Sequence, residues 1–78
     1  MNMANPLSEV KAGQTATIHS LRGGYGFRSR LAALGFTPGA QVTMLQNQGR
    51  GPLLVTLRST RIALGRGEAQ KILVEMSG

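Results

Sequence analysis

The run from Phe27 to Val42 constrains this chain more than any other stretch, because it packs a helix, its stop signal, a tight turn and a strand entry end to end. Phe27, Leu31 and Leu34 recur at i, i+4 and i+7, which places them on one stripe of a short helix and leaves Arg28 and Arg30 toward water. Gly35 ends that helix. The residue just past a helix end adopts a left-handed conformation that glycine accepts without a Cβ clash, and Phe36 stands where such a cap lets it fold back on Leu31. Thr37-Pro38-Gly39-Ala40 reads as a type II turn, with proline presetting φ at the second position and glycine supplying the positive φ at the third. The chain reverses there and delivers Val42 and Met44 on a strand.

The flanking sequence reads as short strands joined by glycine corners. Thr15 to Leu21 alternates, with Ala16 and Ile18 facing in and Thr17 and His19 facing out. A second strand runs from about Gln41 to Gln46, and Asn47 to Pro52 forms a hairpin loop into a third strand, Leu53 to Leu57. Leu53, Val55 and Leu57 share one face of it, Leu54 and Thr56 the other. Ser59-Thr60 marks a tight return into Arg61 to Leu64. Gly67 to Lys71 suffices for one helical turn, with Glu68 near its positive end, before Ile72 to Glu75 completes the sheet. The 11 glycines exceed the usual share of about 7% and supply sharp bends, which favours a rolled sheet over a flat one. The expected fold is mainly β with one short helix, a small barrel of about five strands. Leu31, Leu34, Phe36, Val42, Val55, Ile62 and Val74 are expected to converge inside it, and closure is expected to remove exposed strand edges. Residues 1–78 form a single domain, with residues 1–6 expected to be flexible.

Composition narrows the function. Only a modest core fits in 78 residues, and the chain has no cysteine, hence no disulfide framework, zinc-thiolate site or thiol nucleophile. Its three acidic residues are all glutamate, so a Ser-His-Asp triad is impossible, and no carboxylate pair shows a catalytic spacing. His19 stands alone and reads as a surface strand residue. Gly23-Gly24-Tyr25-Gly26 lacks the Gly-Lys-Ser/Thr ending of a phosphate-binding loop and reads as a conformational loop. No enzyme activity, metal site or cofactor is expected. Met1 to Pro6 lacks the charged start and apolar run of a signal peptide, and no segment approaches the length of a membrane span, so a cytoplasmic chain without direct membrane insertion is expected. Nine basic residues against three acidic give a net charge of +6, which suits an anionic partner.

Leu7-Ser8-Glu9-Val10-Lys11-Ala12-Gly13, the run Phe27 to Val42, Gly51-Pro52-Leu53-Leu54-Val55, Arg61 to Ala69 and Ile72-Leu73-Val74-Glu75 together resemble the FeoA family, over nearly the whole chain. The resemblance implies an SH3-like β-barrel that acts without catalysis in ferrous iron uptake, by binding the cytoplasmic part of a FeoB-type transporter. The same module forms the C-terminal domain of some iron- or manganese-dependent repressors, so a protein- or peptide-binding module of that kind is an open alternative. A small basic nucleic-acid-binding barrel is another. It is disfavoured because Phe27 and Phe36 are assigned to helix packing and capping, leaving Tyr25 as the single stacking ring.

The candidate partner-binding residues are Arg22, Tyr25, Arg28 and Arg30 around the helix, with Leu54 and Leu73 on outward strand faces. The arginines suit carboxylates on a partner. Leu54 and Leu73, with Leu45, are expected to form an exposed apolar patch with an arginine rim, available to a foreign partner or to a second copy in a homo-oligomer.

Overall fold

Alternation and glycine corners produce the expected strands in the computed structural model, which describes residues 4–76. Strand β1 (Asn5–Pro6) leads through a 3₁₀ turn (Leu7–Glu9) to β2 (Thr15–Leu21), helix α1 (Tyr25–Ala33), β3 (Gln41–Gln46), β4 (Leu53–Leu57), β5 (Thr60–Leu64), the short helix α2 (Arg66–Gln70) and β6 (Ile72–Met76). The strands pair antiparallel in the order β1-β6-β2-β3-β4-β5. Every second residue of β2, β3, β4 and β6 points into one core, which includes Ile18, Val42, Met44, Val55, Ile72 and Val74.

The helix stop forms as the sequence demands. Gly35 has φ +108, the Phe36 N–H donates to the Leu31 carbonyl at 3.0 Å and the Gly35 N–H to the Ala32 carbonyl at 3.0 Å, the paired bonds of a Schellman cap. This returns Phe36 to the core, where it is wholly buried with Leu31. Gly39 has φ +91 and the Ala40 N–H donates to the Thr37 carbonyl at 3.0 Å, closing the Pro38-Gly39 turn.

Three expectations are corrected. Leu34 lies outside the core at 49% exposure: it caps a helix that ends at Ala33, and Phe36 takes the place beside Leu31. Ile62 faces inward but is only partly buried, because β5 is the last strand of the sheet. The mainly β, SH3-like fold of about five strands forms as expected, with the two-residue β1 as a sixth: Asn5 and Pro6 pair with Val74 and Leu73 at a sheet edge where a proline lacking an N–H is tolerated. Residues 1–3 lie outside the described residues. Among the described residues the sheet also does not close by hydrogen bonds, because β1 and β5 do not pair. The 3₁₀ turn packs against α2 near the end of β5 instead, burying Leu7 and Ala69.

Asn47 ties this junction together. Its Nδ2 donates to the carbonyls of Ser8 at 3.0 Å and Val10 at 2.8 Å, while its Oδ1 accepts from Arg66 Nη2 at 2.8 Å and from the Gly49 N–H at 3.2 Å. One amide thus joins the β3–β4 loop, the N-terminal segment and α2.

Candidate functional site

Two basic surfaces result from this fold. The first surrounds α1. Arg22 follows β2, its main-chain N–H donating to the Lys71 carbonyl at 2.8 Å, which fixes the start of the glycine loop against the end of α2. Gly23 has φ +104, and a Cβ there would stand 3.2 Å from Phe27 Cδ2, so the loop must be bare for the Phe27 ring to lie against it. That ring is partly buried, with Lys71 Nζ 5.2 Å and Arg30 Cζ 5.8 Å from its centroid, a cation on a π-face in each case. Arg30 also pairs with Glu68, whose other carboxylate oxygen accepts the Gly65 N–H at 2.9 Å and so satisfies an otherwise free donor at the start of α2.

Arg30 is therefore engaged within the chain. Arg28 and Arg22 are exposed, and no carboxylate pairs with either among the described residues. Tyr25 is 79% exposed at the first position of α1. Arg22, Tyr25, Arg28 and Arg30 thus lie on one helix and its entry loop, with Arg28 and Arg30, two positions apart, projecting to different sides of the helix.

The leucines do not join that face. Leu54 on β4 and Leu73 on β6 are half-buried and lie on strands separated by β2 and β3, so they form no common patch. Leu73 stands opposite Pro6 and Ser20, and Leu45 falls at an irregularity between Met44 and Gln46. Leu54 pairs with Ala63 and helps to line a hollow of about 580 Å³ with Gln46, Gln48, Arg50 and Pro52. This second surface was not legible beforehand: the Asn47–Pro52 segment reads as a hairpin loop, and nothing in its spacing says that it folds beside the outer faces of β4 and β5. The available signal was Arg50, Arg58 and Arg61 clustering around one hairpin.

His19 is exposed, its Nδ1 3.0 Å from Ser20 Oγ. Among the described residues no three His, Cys, Asp or Glu side chains gather in a group that could hold a metal ion, and no helix is long and apolar enough to cross a membrane.

The FeoA domain family model matches residues 5–76. A Methanocaldococcus jannaschii relative, Fe(2+) transport protein A, is 34% identical over 70 residues, covering 90% of this chain and 84% of that protein. A crystal structure of FeoA, an iron uptake regulatory protein, superposes with a TM-score of 0.89 at 32% identity, covering 96% of this chain and 100% of that one. Stenotrophomonas maltophilia FeoA, an SH3 domain protein solved in complex with zinc, superposes with a TM-score of 0.79 at 34% identity, covering 92% of this chain and 88% of that one. A manganese-dependent transcriptional repressor shares the fold alone, with a TM-score of 0.86 at 22% identity over 99% of this chain and 44% of the repressor.

Proposed function

This chain belongs to the FeoA family of Fe(2+) transport accessory proteins, and from that premise we propose that it acts in the cytoplasm as a noncatalytic regulator, binding the cytoplasmic part of a FeoB-type ferrous iron transporter. The observation that carries this reading is the family match over residues 5–76, nearly the whole barrel. The surface chemistry supports it. Arg22, Tyr25 and Arg28 are all exposed, with neither arginine in an ion pair among the described residues, and arginine and tyrosine are among the residue types that most often anchor a protein interface.

Regulation of this kind requires differential affinity. A bound module shifts a transporter between conformations only by as much as it prefers one of them, and a preference of about 1.4 kcal/mol changes their ratio tenfold. Ferrous uptake by cells lacking this protein tests the reading: uptake falls or loses its regulation on deletion, returns with the native chain and returns only in part with Arg28→Glu. Uptake unchanged by deletion removes the proposal.

A further inference from the structure

We propose that the free edge of β5 is a docking site for an extended acidic segment of a protein partner, which adds to the sheet as a further strand. The edge is open for a specific reason. The two-residue turn at Arg58-Ser59 makes Leu57 and Thr60 the first hydrogen-bonded pair of the β4–β5 ladder, and pairs alternate from there. The N–H and C=O groups of Arg61 and Ala63 therefore point away from β4. Among the described residues no further strand lies on that side, and no backbone group elsewhere bonds to them. Both residues are exposed. Such a row of unpaired backbone groups is a template for another strand.

The surroundings select the occupant. Strand addition draws affinity from main-chain bonds and specificity from pockets that receive alternate side chains. Arg61 and Ala63 share the outer face, and Ala63 borders the hollow of about 580 Å³ whose apolar lining includes Leu54 and Pro52. Arg50 lines the same hollow, Arg61 stands on the strand and Arg58 on the turn, none of them in an ion pair among the described residues. An added strand thus meets guanidinium groups beside Arg61 and an apolar depression beside Ala63, two positions along. A carboxylate next but one to an aliphatic side chain matches that order. A second copy of the chain does not, because pairing β5 with itself brings the arginines of two +6 molecules together. The same charges keep the edge from self-association while leaving it open to an acidic strand.

This inference rests on the reading of the chain as a protein-docking module and names the surface that docks. It is tested without the transporter, by titrating the ¹⁵N-labelled full chain at low salt with a capped octapeptide of repeating Glu-Thr-Val-Thr, which sets glutamate and valine two positions apart on one face, and with its Lys-Thr-Val-Thr counterpart. The expected result is that the amides of Arg61 and Ala63 shift and exchange their hydrogens at least tenfold more slowly with the glutamate peptide, and are unaffected by the lysine peptide. Arg61→Glu is expected to weaken binding at least tenfold. Ala63→Pro removes a donor that the β4 ladder does not use and is expected to weaken binding similarly while unfolding stays cooperative. Absence of binding, equal binding of the two peptides, or protection around α1 in place of β5 overturns the proposal. So does protection of Arg61 and Ala63 that grows with protein concentration alone, which assigns the edge to a second copy. Failure of the peptide assay leaves a transporter contact through α1 standing, and failure of the uptake assay leaves strand addition standing.

Discussion

Gly35 holds a backbone conformation that any L side chain would adopt at a cost, and a Cβ there would also stand 3.1 Å from Leu57 Cδ2. Gly35→Ala is expected to destabilise the fold by about 2 kcal/mol, read as a lower urea midpoint with an unchanged m-value. Arg58 and Ser59 carry the opposite situation, since both have positive φ, 52 and 65, in a turn for which glycine and asparagine are the usual choices. Ser59→Gly is expected to raise stability by about 0.5–1 kcal/mol, measured in the same denaturation experiment. Asn47 serves two carbonyls and an arginine at once, so Asn47→Ala leaves the Ser8 and Val10 carbonyls short of a donor. A loss of about 1–3 kcal/mol is expected, with faster hydrogen exchange in residues 5–10 before any change in β3 or β4.

At the scale of elements, α1 is held by its ends as much as by its buried residue. Leu31 anchors it to the core, the Schellman cap fixes its exit, and Phe27, Arg30 and Glu68 fasten its start to α2. The Arg30–Glu68 pair is a surface interaction, its side chains 60% and 38% exposed, so a double-mutant cycle through Arg30→Ala and Glu68→Gln is expected to give a coupling of no more than about 1 kcal/mol. A larger value would mean that the pair organises α2 itself. Much at this scale was legible in the sequence: β3 and β4 begin and end where alternation and the glycine loops say, and Gly35 and Gly39 adopt the positive φ that their neighbours require. Leu34 was not legible, because helical period predicts which residues share a stripe but not that the cap gives the place beside Leu31 to Phe36. The separation of Leu54 from Leu73 was hidden for a related reason. Alternation tells inside from outside, whereas proximity on the outside depends on strand order, which no local pattern encodes. Arg22, Tyr25, Arg28 and Arg30 share one helix and its entry loop because they are neighbours in sequence, whereas Leu54 and Leu73 are kept apart by strand order.

The whole molecule is a rolled sheet left open at β5, with its positive charge spread over two faces. One is α1 with its entry loop, and the other is the β4–β5 hairpin with the adjoining β3–β4 loop. A barrel closed on all sides would present only side chains, whereas this one also presents main-chain groups, so two modes of contact are available to one small domain. Long-range attraction between a +6 protein and an acidic partner speeds encounter and fades as salt rises. The decisive measurement is calorimetric titration of the full chain into the purified cytoplasmic region of a FeoB-type transporter across a salt series. Saturable binding that weakens with salt, and that Arg28→Glu or Arg61→Glu diminishes at least tenfold, is the predicted result. Absence of heat at the lowest salt, with both proteins folded, would contradict the assignment of this chain as a transporter-docking module.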